Sequence, residues 1–229
     1  MNTDDKPSSN EPKTQQERVY MQLREAILRG KFEPGHSVTL RGIAEMLGVS
    51  LMPVRESLRR LTTERALQLL NNRRITVPMM TPEKLEELYQ ARVSLESYAA
   101  SRAIQNIDPE ALSYLYEVNE KHTQSILEDN VEDYIYLNFE FHRELYRYGR
   151  CEVVMPLIES LWLQIAPFMR MVHSQYLTES RFNEAEDKHK AMLTAIEKNN
   201  PAQLKYLIHD DILDGVRRLQ AAMGWPISS

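Results

Sequence analysis

A single cysteine, Cys151, stands among the 229 residues, so no internal disulfide can form and no second thiol is present for a thiolate metal site. No apolar run approaches the roughly 20 residues that span a bilayer, and the polar stretch Met1 to Thr14 lacks the apolar segment of a secretory signal. A disulfide scaffold and a membrane-spanning helix are thereby excluded, and a cytoplasmic protein with no membrane partner is expected.

What is present is ordinary for a folded chain in water: 42% hydrophobic and 27% charged residues. The length suits two modest domains, each with its own core. The net charge of −5 argues against nucleic acid until its distribution is read. Residues 1–78 hold 13 Lys/Arg against 9 Asp/Glu, whereas 79–229 hold 15 against 24. A basic first third on an acidic remainder suits a DNA-binding head whose body is kept off the duplex.

Residues 1–14, rich in Asp, Lys, Pro, Ser and Asn with no hydrophobic period, are expected to be a disordered tail. Val19, Leu23, Ala26 and Ile27 then follow helical spacing until Gly30, and a turn over Gly30–Gly35 leads to a short strand near Val38. Thr39 caps a helix over Leu40–Leu47 that places Leu40, Ile43, Ala44 and Leu47 on one face, and Gly48 stops it. Ser50 is an N-cap for a third helix with Pro53 in its first turn. Val54, Leu58 and Leu61 form its inner stripe, and Arg55, Arg59 and Arg60 lie mostly opposite. Apolar runs at Ala66–Leu70 and Ile75–Val77 flank Asn71-Asn72-Arg73-Arg74, which reads as a basic-tipped hairpin.

This order of elements describes a winged helix-turn-helix over 15–78, followed by a linker at 79–82. Long helical periods without strand alternation then predict an all-α bundle over 83–222, so the fold class is mainly α.

The run LRGIAEMLGVSLMPVRESLRRLTTERAL, followed by NNRRITV, resembles the GntR family of bacterial transcription regulators. Gly48-Val49-Ser50, Pro53-Val54-Arg55-Glu56 and Leu58 fall at that family's spacing. The second region is similar to the family's FCD-type effector domain, from LYQARVSLESYAASRA through FEFHREL to HKAMLTAIEKNN. The resemblance implies a homodimer that binds double-stranded operator DNA and answers a small effector, not an enzyme. It implies that Arg41 and Arg55 contact DNA and that the third helix enters the major groove with its N-terminal residues nearest the base edges, Ser50 and Arg59 being further contact candidates. Where many members carry Arg-Thr, Leu51 and Met52 stand here and offer apolar contact to a thymine methyl. Asn72 replaces the wing-tip glycine, and Arg73 and Arg74 can reach the minor groove or phosphates.

FCD domains often hold a divalent metal with an aspartate and a histidine four apart and two later histidines. Here the resemblance places Asn138 and His142 at the first pair, His189 next, and Asp211 at the last position, with His209 as the alternative. Two imidazoles, a carboxylate and an amide can hold zinc, nickel or manganese; the competing reading makes His142 and His189 hydrogen-bonded core residues. Arg92 aligns with an arginine that can pair with an effector carboxylate, and Glu96, one turn away, is its internal alternative partner. Arg143, Tyr146 and Tyr89 are further candidates for the same cavity, while His36, His122 and His173 show no partner pattern and are expected on the surface or in loops. Two rival functions are a metal-free dimeric repressor without effector and a metalloenzyme built on His142, His189 and Asp211. The DNA-binding head separates the second, since an enzyme has no need of it.

Overall fold

The computed structural model describes residues 14–71, 74–173 and 179–227, the backbone alone over 179–187. The expected tail therefore lies outside the described residues except at its end. There Thr14 Oγ1 accepts the Glu17 amide and caps the first helix, so it belongs to the fold.

The N-terminal unit comprises α1 (Gln15–Leu28), β1 (Ser37–Thr39), α2 (Leu40–Leu47), α3 (Leu51–Thr63), β2 (Gln68–Leu69) and β3 (Arg74–Thr76). The three strands form an antiparallel sheet in the order β1-β3-β2, with Ile75 opposite both Val38 and Leu69. Val19, Leu23 and Ile27 of α1, Val54, Leu58 and Leu61 of α3, and Ile75 and Val77 of the wing are all buried together. The turn between α2 and α3 is short because Gly48 takes φ +63° and the Val49 amide returns to the Ala44 carbonyl, closing α2 with orphan carbonyls satisfied.

The second unit is the expected helical bundle: α4 (Pro82–Ala103), α5 (Pro109–Leu127), α6 (Val131–Arg147), α7 (Val154–His173), α8 (Glu179–Glu197) and α9 (Pro201–Met223). Its helix starts are written into the sequence. Thr81, Asp108, Asn130 and Asn200 each accept a backbone amide of the first turn, and prolines sit at the starts of α4, α5 and α9, where a missing N–H costs nothing. The linker is shorter than expected, since Thr81 caps α4, Pro82 begins it and Met80 is buried.

The head does not hang free of the body. α1 packs against α7 and touches α6, and one continuous apolar core runs from the head into the bundle. Charges flank this contact with opposite signs: Arg24 lies 2.9 Å from Glu159, Lys31 lies 3.0 Å from Glu132, and Arg29 pairs with Asp133. The Ser160 hydroxyl donates to the Glu64 carbonyl at 2.9 Å, and Arg170 Nε donates to the Gly30 carbonyl at 3.3 Å. Part of the acidic excess of the body is thus the counter-charge of the basic head, in addition to the repulsion from DNA that composition alone suggests.

Between α6 and α7 the chain turns against α4. A Cβ on Gly149 would lie 2.6 Å from the Ala99 carbonyl oxygen and 3.0 Å from that of Tyr146, both backbone atoms, so only glycine lets the turn approach this closely. Gly215 in α9 has nothing within 4 Å of the same position. Gly149→Ala should therefore cost about 1–3 kcal/mol, read as a fall in Tm of roughly 2–12 °C. Gly215→Ala should be neutral or stabilising by up to about 1 kcal/mol. Thermal unfolding of the two variants beside the parent checks the pair, and equal Tm values for both would contradict it.

Candidate nucleic-acid interface and metal centre

The head presents one polar, basic surface around α3. Burial of Val54, Ser57, Leu58 and Leu61 against α1 turns the other side of the helix outward, leaving Arg55, Arg59 and Arg60 exposed. Ser57 anchors this arrangement by donating to the carbonyls of Pro53 and Gln16. Arg41, in the first turn of α2, is exposed beside it, as is Ser50, whose backbone has N-cap geometry but whose hydroxyl makes no capping hydrogen bond. Leu51 and Met52 open α3 at 39% and 62% exposure, outside the core of the head. Arg60 is committed elsewhere, lying 3.6 Å over the Tyr20 ring and donating to Glu64. Arg74 is likewise bound to the Ser37 hydroxyl and carbonyl. Asn72 and Arg73 lie outside the described residues.

In the body, three helices bring His142 (α6), His189 (α8) and Asp211 (α9) together, with ligand atoms all within 4.8 Å of one another. Both histidines are buried. Their hydrogen bonds fix which nitrogen carries the proton. The Tyr146 hydroxyl donates to Glu96 Oε2 at 2.9 Å, so its oxygen accepts from His142 Nδ1 at 3.1 Å. Asn119 Oδ1 accepts from His189 Nδ1 at 3.0 Å. Each ring therefore turns its Nε2 inward, and these two nitrogens stand 3.3 Å apart, with Asp211 Oδ2 3.2 Å from His142 Nε2. Two imidazole nitrogens and a carboxylate oxygen from three helices thus converge on one point, where either a proton shared by His142 and Asp211 or a cation balances them, and this donor set is of the kind that holds a divalent metal.

Electrostatics agree. Burial lowers the His189 pKa well below its usual value, and the neighbouring His122 and His142 push it the same way, which keeps the ring neutral and free to ligate. Burial raises the Asp211 carboxyl, but His142, His189 and Lys188 beside it outweigh that and hold it below the usual carboxylate range. Asn138, one turn before His142, is half-buried and lines a cavity of about 50 Å³ that also reaches His189 and Asp211. His209 is turned away, bonded through Nε2 to the Tyr89 hydroxyl at 2.9 Å, which also removes Tyr89 from the cavity.

Arg92 lies on the cavity wall and is buried, stacked 4.2 Å from the Trp162 ring and donating to Glu96 at 2.6 Å. Glu96, the internal partner foreseen from the i, i+4 spacing, then joins Arg92 through Tyr146 to His142. Tyr146 is thus a fully buried part of the support behind the cluster, and it is not among the residues lining the cavity. Arg143 corrects the sequence expectation: it lies in a separate surface groove, clamped by Glu140 and Glu144, because one residue after the inward His142 a helix points some 100° away. Two histidines correct it in the other direction. His173 is buried at the end of α7, and His122 on α5 is buried on the cavity wall, 5.0 Å from the His189 ring and stacked on Tyr134. No sequence pattern pairs His122 with anything; its place on the buried stripe with Leu115, Val118 and Asn119 was the one available signal.

Comparison with known proteins agrees with both halves. The profile of the bacterial regulatory proteins of the gntR family matches residues 15–77, and that of the FCD domain matches residues 87–214. The HTH-type transcriptional regulator McbR of Escherichia coli is 28% identical over 174 residues, covering 76% of this chain and 78% of that protein. The gluconate operon transcriptional repressor of Bacillus subtilis is 26% identical over 212 residues, covering 88% and 85%. The solved structure of E. coli McbR/YncC superimposes with a TM-score of 0.84 at 24% identity over 91% of this chain and 98% of that one. A GntR regulator from Rhodococcus follows at 0.72 and 22% identity, covering 90% and 97%. The chain belongs to the GntR family of bacterial transcriptional regulators, in the group that joins a winged helix-turn-helix to an FCD domain.

Proposed function

We propose that this regulator grips operator DNA with the exposed α3 face and Arg41, and that a small, carboxylate-bearing ligand in the FCD cavity changes that grip through α7. One observation carries the coupling. α7 lines the cavity with Trp162, Ile165 and Met169, and the same helix holds the head through Glu159, Ser160 and Arg170. A ligand that binds one placement of α7 better than another necessarily biases the head, since the two share a rigid element. A divalent metal held by His142, His189 and Asp211, with Asn138 at its edge, would offer a Lewis-acidic anchor for the ligand's oxygens. The side chains that stand behind it, Tyr146, Glu96 and Asn119, orient the imidazoles.

Arg55 and Arg59 on α3 and Arg41 on α2 suit phosphate or guanine contact, while Ser50, Leu51 and Met52 reach base edges from the helix start. Arg73 and Asn72 at the wing are proposed as neighbouring backbone or minor-groove contacts. A homodimer on a two-fold operator follows from helix-turn-helix geometry. No helix among the described residues is long and apolar enough to cross a membrane, and a cytoplasmic location is proposed on that basis and on the nature of the relatives. The relatives are transcriptional regulators, and with a DNA-binding head attached, the cluster is better read as a sensor's anchor than as a metalloenzyme's centre.

Operator fragments selected from the source genome test the head. Arg41→Ala with Arg55→Ala should raise Kd at least about thirtyfold, each bidentate contact being worth about 1–3 kcal/mol, with an unchanged Tm; undiminished affinity would refute the assignment. Metal analysis of protein purified without chelator should find a stoichiometric divalent ion that His142→Ala and Asp211→Ala both abolish. Retention of metal by either variant would place the site elsewhere. Glu159→Gln with Ser160→Ala should leave operator affinity within about threefold while cutting the response to an active carboxylate by more than half; a full response in gel shift would remove α7 from the route.

A further inference from the structure

The cavity wall carries hydrogen-bonding atoms that the protein itself does not use. Both ring nitrogens of His122 and the indole Nε1 of Trp162 are buried with no hydrogen-bond partner. Each side chain is only 2% exposed, and both line the same cavity. Buried polar groups are nearly always satisfied, because an orphan loses its water without replacement. Three orphan atoms on two residues that line one cavity therefore point to a ligand rather than to a packing accident.

The metal-type cluster does not absorb them. His142, His189 and Asp211 already converge on one another, whereas His122 is held beside them by stacking on Tyr134, with ring centroids 5.1 Å apart. Trp162 is held from its other side by the Arg92 guanidinium, 4.2 Å over its ring. Both side chains are thus positioned by contacts that leave their polar atoms free.

Their chemistry specifies what they can receive. An indole N–H only donates. A neutral imidazole donates once and accepts once, so His122 is complete only when it meets both an acceptor and a donor. Arg92 on the same wall is paired with Glu96, and Asp211 and Asp214 also line the cavity, so the demand for acceptor oxygens comes from the Trp162 and His122 N–H groups themselves. The cavity of about 50 Å³ holds several atoms, since one water needs roughly 10–15 Å³ measured the same way.

We propose that His122 and Trp162 are the specificity-determining residues of the cavity. Together they select a ligand of a few non-hydrogen atoms that presents at least two acceptor oxygens and one hydroxyl hydrogen. The same acid without the hydroxyl is bound less well. This inference rests on the reading of the cavity as the effector site.

The test compares glycolate with acetate, which differ by that hydroxyl, on the full-length protein purified without chelator. Isothermal calorimetry should show glycolate binding at least tenfold more tightly than acetate. His122→Phe, which keeps the stacked ring and removes both polar atoms, should bring glycolate down to acetate's affinity without changing metal content or the affinity for acetate. His122→Gln, which retains a donor and an acceptor, should recover part of the preference, and Trp162→Phe should weaken both ligands. In the parent protein, glycolate should shift the ¹⁵N resonances of the His122 ring, a reading that needs no variant to fold. Equal binding of the two probes to the parent, an undiminished glycolate preference in His122→Phe, or unmoved His122 resonances would each overturn the assignment while leaving the effector reading in place. Failure of both probes to bind, together with operator affinity insensitive to a wider carboxylate panel, would overturn the effector reading and this inference with it.

Discussion

The seating of α1 on α7 is the contact on which the molecule's behaviour as one unit depends. Its apolar centre merges the head's core with that of the bundle, and a rim of opposite charges, Arg24 with Glu159, Lys31 with Glu132 and Arg29 with Asp133, fixes its register. Ion pairs at such a partly exposed rim contribute about 0–1 kcal/mol each where solvent reaches them, so the rim supplies orientation more than strength. The consequence is a head whose position is set by a helix that also forms the wall of the ligand cavity. A bundle joined to the head by a floppy linker could sense a ligand without informing the DNA-binding surface; here α7 belongs to both.

Behind that wall runs a buried polar relay from Arg92 through Glu96 and Tyr146 to His142 and Asp211. Burying a charged pair costs desolvation that its Coulombic attraction only partly offsets, so such a relay is a poor stabiliser and a good positioner. Burial pushes the Tyr146 hydroxyl's pKa up, and the adjacent Glu96 carboxylate raises it further, so Tyr146 keeps its hydrogen for Glu96. That in turn obliges His142 to donate through Nδ1 and to turn Nε2 toward Asp211 and His189. The orientation of a candidate metal ligand is thus decided two side chains away, by groups that never touch the ion.

The helices and the head were legible in the sequence because their causes are local. Period-3.6 apolar stripes identify Val54, Leu58 and Leu61 as buried, and Thr39, Gly48 and Ser50 mark the start of α2 and the turn between α2 and α3. The pairing of Arg92 with Glu96 was equally open to inspection, since four residues make one helical turn. The choice of Asp211 over His209 came from the family register alone. It agrees with the geometry because two residues along a helix reverse the face, sending His209 to Tyr89 while Asp211 meets His142.

What one-dimensional reading could not reach was convergence between helices. His122 has no spaced partner, and a lone histidine on an amphipathic helix looks the same in sequence whether it faces a loop or a cavity. Arg143 looked available because it follows His142, yet acidic neighbours on its own helix claim it on the outer side. By itself the sequence determined the elements, their order, the basic recognition surface and the family, because periodicity, capping and motif spacing act over a few residues. Only the tertiary structure decided which buried polar atoms from α4 to α9 meet and which are left without partners, because that depends on the angles at which whole helices pack.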